Sequence, residues 1–312
     1  MQTRKLGTST LDVSVVGLGC NNFGRLALEA SRKVIDRALE QGITLFDTAD
    51  VYGNQGGSEE QLGEILGERR KQIVLATKFG MKMDDAGKKS GASRTYIMQA
   101  VEDSLKRLRT DWIDLYQLHT PDPHTLMEET LRALDDLVRA GKVRVVGCSN
   151  LPAAGLAQAR AISESAKLVP FVTAQDEYSL LVRDVERELV PTLQQFNMSL
   201  LPYFPLASGL LTGKYGKGDI PQGTRFAVMQ RLADRYLTDR NLRIVSELQE
   251  FCTSNNRTML ELAFSWLAAQ PTVASVIAGA TKPEQIDQNV KAVDWKFGEA
   301  DLAQIDRITQ GA

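Results

Sequence analysis

Gly42-Ile43-Thr44-Leu45-Phe46-Asp47-Thr48-Ala49-Asp50-Val51-Tyr52-Gly53-Asn54-Gln55-Gly56-Gly57-Ser58-Glu59-Glu60-Gln61-Leu62-Gly63 holds a strand, a loop and the start of a helix. Thr44 to Phe46 is a short apolar run that closes on the carboxylate of Asp47, and Ser58 with Gln61 fits a capping box opening the following helix. The same order repeats on both sides of this unit. Val15 to Leu18 precedes it; Ile73 to Ala76, Ile113 to Leu118, Val143 to Val146, Phe171 to Ala174, Ser199 to Pro202 and Ser275 to Ile277 follow. Helical patterns lie between the runs, such as Ile97, Met98, Val101, Leu105 and Leu108 after a Ser93 cap, and Val182, Val185, Leu189 and Leu193. Runs apolar on both faces and separated by helices indicate parallel strands under a helical layer. Eight such units favour a closed (β/α)8 TIM barrel, an α/β fold, over a doubly wound open sheet.

Met1 to Val13 stands ahead of the first unit and reads as an N-terminal β-hairpin turning at Gly7 to Thr10. No Pro/Gly/Ser-rich linker, repeat or low-complexity run divides the chain, so residues 1–312 are expected to form a single barrel domain. Pro205 to about Arg240 has little regular pattern, and connections of that length in a compact domain usually carry function.

Composition narrows the function. The 312 residues are 43% hydrophobic and 24% charged, with a net charge of -2 and a pI near 5.9, so the basic excess that phosphate backbones require is missing and nucleic acid is not the expected partner. Cys20, Cys148 and Cys252 are odd in number and far apart, which points to a reducing, cytoplasmic setting rather than a disulfide framework. Val13 to Cys20 superficially resembles a secretory apolar region, but Asp12 interrupts it and no basic segment of usual length precedes it. The chain lacks the roughly 18 consecutive apolar residues of a membrane span, so no membrane insertion is expected.

In a (β/α)8 barrel the chemistry sits where strands end. The runs here end in Gly19-Cys20-Asn21, Asp47, Lys78, His119, Ser149-Asn150, Gln175, Tyr203 and Gly279-Ala280-Thr281. Each has an ordinary structural explanation by itself. Together, Asp47, Tyr52, Lys78 and His119 place a carboxylate, a phenol, an ammonium and an imidazole around one mouth, a proton-donating arrangement. A phenol with a reference pKa of about 10 is a poor acid at neutral pH, and an adjacent ammonium lowers that value by charge. Asp47 would keep Lys78 charged, and a neutral His119 would orient a substrate carbonyl.

At these residues the chain closely resembles the aldo-keto reductase superfamily. The stretch from Gly42 to Gly53 followed by Ser58-Glu59 and Leu62-Gly63 carries the resemblance first. Further matches are Leu75-Ala76-Thr77-Lys78, Asp114-Leu115-Tyr116-Gln117-Leu118-His119, Gly141-Lys142-Val143-Arg144, Gly147-Cys148-Ser149-Asn150, and Pro205-Leu206-Ala207 through Lys214-Tyr215. The resemblance implies a catalytic tetrad at Asp47, Tyr52, Lys78 and His119, a small carbonyl substrate, and NADPH rather than NADH as cofactor. It also implies the cofactor contacts. Gly19, Cys20, Asn21 and Asp47 would line the site; Ser149, Asn150 and Gln175 would hold the carboxamide; Tyr203 would stack on the nicotinamide. Phe204, Pro205, Leu206, Ser208, Gly209 and Lys214 would wrap the pyrophosphate, and Arg225 would reach the adenosine end. Gly279 would open the last contact segment, in which Thr281, Lys282 and Gln285 would meet the 2'-phosphate and Gln288 and Asn289 face adenine, at a helix start that favours an anion.

Two decoys fail. Gly17-Leu18-Gly19-Cys20-Asn21-Asn22 lacks the third glycine of a dinucleotide fingerprint, and Gly209 to Lys214 has neither the spacing nor the hydroxyl of a P-loop. His119 and His124 beside Asp122 could be read as metal ligands, but Pro121 and Pro123 keep them off a helix and no metal is expected. Cys20, Asn21, Trp112 and Gln288 depart from residues common in the superfamily. Phe23, Trp112, Met81, Phe226 and Met229 are expected as apolar pocket walls. The leading expectation is therefore an NADPH-dependent reductase of aldehydes or ketones. The competing one is a cofactor-sensing binding subunit similar to potassium-channel beta subunits, and a weaker third is a metal-dependent barrel lyase or isomerase.

Overall fold

The computed structural model describes residues 1–215, 220 and 224–310. Strands β1 (Thr3–Lys5) and β2 (Asp12–Ser14) form an antiparallel hairpin. Eight parallel strands follow: β3 (Val16–Gly19), β4 (Leu45–Asp47), β5 (Val74–Phe79), β6 (Ile113–Leu118), β7 (Val143–Ser149), β8 (Phe171–Gln175), β9 (Ser199–Leu200) and β10 (Val276–Gly279). Their order in the sheet is β10-β3-β4-β5-β6-β7-β8-β9. The sheet curls until its ends meet. The Leu200 N–H donates to the Thr272 carbonyl at 2.7 Å and the Ala274 N–H donates to the Leu200 carbonyl at 3.1 Å, just ahead of β10. This is the (β/α)8 barrel that the alternation of runs implied.

The helical layer consists of α1 (Leu28–Glu40), α2 (Tyr52–Leu66), α3 (Arg94–Leu108), α4 (Met127–Arg139), α5 (Ala153–Ala166), α6 (Leu189–Gln195), α7 (Arg225–Val228), α8 (Gln230–Tyr236), α9 (Asp239–Ser254), α10 (Met259–Ala269), α11 (Pro283–Lys291) and α12 (Glu299–Gln310). Ser93 caps α3 by accepting from the Tyr96 N–H, as its sequence position suggested. Two cores result. The inner one, Leu45, Val74, Ala76, Leu115, Leu201, Ala274 and Ile277, is closed at the amino end by Leu6 and Val13 of the hairpin. The hairpin turn tucks under β8, where a Cβ on Gly7 would lie 2.3 Å from the Val172 carbonyl oxygen, and the Gly7 N–H is held by Ser199 Oγ at 2.8 Å. With Leu6 fully buried, truncation to Ala would cost about 2–5 kcal/mol. The larger core lies between strands and helices.

Three local expectations need correction. Val182 to Leu193 is not one helix: α6 begins at Leu189, because Pro191 has no N–H to donate and is tolerated only in a first turn. Ser58 and Gln61 do not cap α2. Ser58 Oγ donates to the Cys20 carbonyl, and Gln61 takes the Gly24 N–H and Ser31 hydroxyl while donating to the Leu26 carbonyl, so both tie the loop after β3 to α2. The connection after Pro205 is more ordered than its pattern suggests, containing a 3-10 turn at Ala207–Thr212, then α7 and α8; residues 216–219 and 221–223 of it lie outside the described residues.

Candidate active site

The carboxyl ends of the barrel strands open into a cavity of about 780 Å³. Asp47 is the last residue of β4 and Lys78 the penultimate residue of β5; His119 follows β6, and Tyr52 opens α2. Lys78 Nζ, fully buried, donates to Asp47 Oδ2 and to the Thr48 carbonyl, each at 2.8 Å. Asp47 Oδ1 accepts from Gln175 Nε2 at 3.0 Å and Gln117 Nε2 at 3.3 Å. The carboxylate thus has charge on one oxygen and two amides on the other. The Tyr52 ring stands edge-on to His119 with centroids 5.7 Å apart, and Lys78 Nζ lies 5.0 Å from the Tyr52 centroid.

Burial pushes the Lys78 ammonium toward neutrality, but Asp47 and the Tyr52 phenol more than offset it, so its pKa lies above the ordinary value. For Tyr52 the balance differs from the simple expectation. Burial raises the phenol by more than Lys78 lowers it, so its pKa is net raised and the group stays protonated at neutral pH. Burial, helped by Lys78, pushes His119 down to about 3, which keeps the imidazole neutral; its Nδ1 is buried without a partner, and its backbone N–H donates to the Phe79 carbonyl at 2.8 Å. The arrangement therefore favours a protonated phenol beside a charged ammonium and a neutral imidazole.

Tyr52 is carried on unusual backbone. Gly53 (φ 68°), Asn54 (62°), Gln55 (64°) and Gly56 (123°) are all left-handed, which costs about 1–2 kcal/mol for each non-glycine residue. The turn is possible because Gly53 and Gly24 pack backbone to backbone: a Cβ on Gly53 would meet the Phe23 carbonyl oxygen at 2.4 Å.

Across the mouth, Asn150 connects three groups. Its Nδ2 donates to the His119 carbonyl at 3.1 Å and to Ser149 Oγ at 3.0 Å, and its Oδ1 accepts the Tyr203 hydroxyl at 2.9 Å. Ser149 Oγ in turn donates to the Gln175 carbonyl at 2.7 Å. The far wall is the 3-10 turn after β9 and the residues following it, where Ser208 Oγ is buried without a partner and Lys214 Nζ lies 3.2 Å from the Cβ position of Gly209; Tyr215, beyond the turn, is not among the lining residues. Arg225 lies over the Phe204 ring at 5.9 Å.

The cavity brings together most of the residues singled out from the sequence. Gly19, Cys20, Asn21, Asp47, Tyr52, His119, Ser149, Asn150, Gln175 and Tyr203 line one part of it; Phe204, Pro205, Leu206, Ser208, Gly209, Lys214, Arg225, Gly279, Thr281 and Gln285 line the rest. Lys78 sits beneath it, reached through Asp47. Lys282, Gln288 and Asn289 are not among the lining residues; Lys282 is exposed and Asn289 buried. Gln285 is committed elsewhere, its Oε1 accepting from the Thr281 and Lys282 N–H groups at 2.7 and 3.2 Å. Thr212, within the run from Phe204 to Lys214 expected to wrap the pyrophosphate, also lines the cavity; Asn22, Thr120 and Thr224 line it too and were missed, each adjacent to a marked position. A reading of every strand end two residues further would have found Asn22 and Thr120.

Of the expected apolar walls only Met81 lines the cavity. Phe23 and Phe226 are core, the latter 4.7 Å from Tyr215, and Met229 lies outside the lining. Trp112 precedes β6 and so stands at the amino end, between the Arg70 and Arg144 guanidinium groups at 4.7 and 5.3 Å. Among the described residues no cluster of three or more His, Cys, Asp or Glu is arranged to hold a metal, and no helix is long and apolar enough to cross a membrane.

A profile of the Aldo/keto reductase family matches residues 15–310, and the chain belongs to that family. The relatives include both channel subunits and oxidoreductases. The chain is 38% identical to a probable voltage-gated potassium channel subunit beta of Arabidopsis thaliana, over 94% of this chain and 92% of that one. It is 36% identical to L-glyceraldehyde 3-phosphate reductase of Escherichia coli strain K12, over 98% and 92%, and 37% identical to the uncharacterized oxidoreductase YqkF of Bacillus subtilis strain 168, over 94% and 92%. Family and relatives together make the protein an oxidoreductase of the aldo/keto reductase type.

Proposed function

We propose that the protein is an NADPH-dependent reductase that converts aldehydes or ketones to alcohols, with Tyr52 as proton donor. The observation that carries this reading is the Tyr52 phenol standing edge-on to His119 and beside the buried Lys78–Asp47 pair in the cavity at the barrel mouth. The residues present fit the cofactor. Ser208 Oγ is a buried hydroxyl without a protein partner on the cavity wall, and Lys214 and Arg225 bring positive charge to the same wall. When bound, a reduced nicotinamide supplies the hydride. Asn150, Ser149 and Gln175 would orient its carboxamide, Tyr203 would back its ring, and Lys214 and Arg225 would meet the phosphates. Lys282, exposed at the start of α11, would favour a 2'-phosphate.

The chain's own part in the chemistry is proton delivery. His119, neutral because it is buried, donates a hydrogen bond to the substrate carbonyl without adding a proton that would compete with Tyr52. As charge develops on the carbonyl oxygen, Tyr52 gives up its proton and the resulting phenolate is stabilised by Lys78, whose own charge Asp47 maintains. Three buried free cysteines suit a cytoplasmic enzyme. A second reading, a cofactor-sensing binding subunit, is favoured by the channel-subunit relative. Turnover of an activated aldehyde such as 4-nitrobenzaldehyde with NADPH decides between them: oxidation of NADPH in step with carbonyl loss supports the reductase, and tight NADPH binding with no turnover on a broad carbonyl panel supports the sensor.

A further inference from the structure

The left-handed turn behind Tyr52 is seated on a buried ion pair that proton delivery does not use. Glu59 on α2 is fully buried. Its Oε2 accepts from Arg107 Nε of α3 at 2.7 Å, and its Oε1 accepts from Thr77 Oγ1 at 2.6 Å, on the residue before Lys78. Arg107 also donates to Ser104 Oγ at 3.3 Å. The stem of this arginine lies directly over the turn: a Cβ on Gly56 would fall 2.6 Å from Arg107 Cδ and 3.1 Å from Nε. One guanidinium therefore touches the last left-handed residue, the helix after it, and through Glu59 the strand that carries Lys78.

A full turn of left-handed backbone with two non-glycine members persists only where its surroundings dictate it. The turn is supported by the Gly24 backbone on one side and the Arg107–Glu59 pair on the other. We infer that Arg107 and Glu59 are positioning residues for Tyr52: seated on Gly56, they hold residues 53–56 in the left-handed turn and so set where the phenol stands relative to Lys78 and His119. The consequence for rate rests on the reductase reading; the structural claim does not.

The test uses the whole chain carrying Arg107→Met with Glu59→Gln, which removes both charges and so avoids a lone buried ion; Arg107→Lys serves as a second, conservative variant. Two readouts are independent of turnover. Amide hydrogen exchange at residues 53–57 is expected to rise by about tenfold or more in the double variant while protection elsewhere in α2 is kept. With tyrosines labelled at 13Cζ and Tyr52 assigned by Tyr52→Phe, the Tyr52 resonance is expected to move while those of Tyr178, Tyr215 and Tyr236, remote from Arg107, stay in place. The maximal rate of carbonyl reduction should fall about ten- to a hundredfold, as expected when a reacting group is displaced by about 1 Å, with the NADPH dissociation constant within about twofold. Arg107→Lys should recover part of each effect. A folded double variant whose exchange and Tyr52 resonance match the wild type overturns the inference, and so does one in which both change but turnover does not. If the wild type reduces no carbonyl at all, the reductase reading fails by itself, and exchange and the tyrosine resonance still decide whether the ion pair positions Tyr52.

Discussion

Replacing Lys78 by Met tests two properties of the site that are easily confused, its stability and its acidity. The ammonium is completely buried and bonded to Asp47 Oδ2 and the Thr48 carbonyl, so its removal leaves a buried carboxylate with only the two amides of Gln117 and Gln175, and a main-chain acceptor with no donor. Stranding one member of a buried pair costs about 3–5 kcal/mol, and an orphaned carbonyl adds to the upper part of that range. Lys78→Met should therefore lower the urea midpoint substantially, read by circular dichroism and by tryptophan fluorescence in the same samples so that a two-state loss can be verified. Adding Asp47→Asn removes the unpaired charge while keeping an oxygen for the amides, and should return all but about 1–2 kcal/mol.

Activity should not follow stability. Both the single and the double variant lack the charge that stabilises a Tyr52 phenolate, so turnover should stay reduced by a hundredfold or more, a typical effect of disabling a positioned acid. Recovery of turnover in Lys78→Met/Asp47→Asn would refute the claim that Lys78 supports proton donation. A loss of less than about 1 kcal/mol in Lys78→Met would refute the claim that the pair is charged and buried as the geometry has it.

Tyr52→Phe keeps the edge contact with His119 and removes only the hydroxyl; carbonyl reduction should drop by about a hundredfold or more with NADPH affinity nearly unchanged, and retention of half the wild-type rate would exclude Tyr52 as the donor. Asp50, buried with Oδ1 unpartnered, is pushed up to about 8 by its burial and by Glu59. The native state thus holds a proton that the unfolded chain releases near pH 4, so this residue's contribution to stability is fully present at low pH and declines as pH rises toward 8, by up to about 1.4 kcal/mol per pH unit. Asp50→Asn should flatten the fall of the urea midpoint between pH 5 and 8, and coincident pH profiles of variant and wild type would show that Asp50 ionises normally. Asp176, pushed up to about 7 by burial, leaves a residual slope below that pH. Lys282→Ala should weaken NADPH binding about ten- to a hundredfold with little effect on NADH, measured by fluorescence quenching; equal loss for both nucleotides would remove Lys282 from the 2'-phosphate.

What could be read from the sequence follows from how each feature is encoded. All eight barrel strands stand where apolar runs mark them, because a parallel strand buried on both faces needs uninterrupted apolar residues. The polar residues that end those runs converge on the mouth for the same topological reason: every parallel strand ends on one side. Asp47, His119, Gln175 and Tyr203 could thus be gathered from four distant stretches without any contact information. What could not be read depends on particular approaches between elements. Trp112 looks like a pocket wall in sequence, yet its place ahead of β6 puts it at the opposite end between two arginines. Ser58 and Gln61 have capping-box spacing, but the left-handed turn ahead of them redirects both toward the loop after β3.

The phenol shows the same division at the level of energy. The sequence places an ammonium near Tyr52 and so implies an acidified tyrosine; the fold adds a desolvation cost that no residue pattern records, and that cost prevails. The two effects act at different moments. Burial keeps the proton on Tyr52 while the site waits, and Lys78 lowers the energy of the phenolate once a carbonyl oxygen takes that proton. Desolvation of the phenol, on a Tyr52 side chain that is half-buried at the cavity wall, is therefore part of the proton donor together with the charge beside it, and the left-handed turn directly after Tyr52 fixes the backbone that presents it.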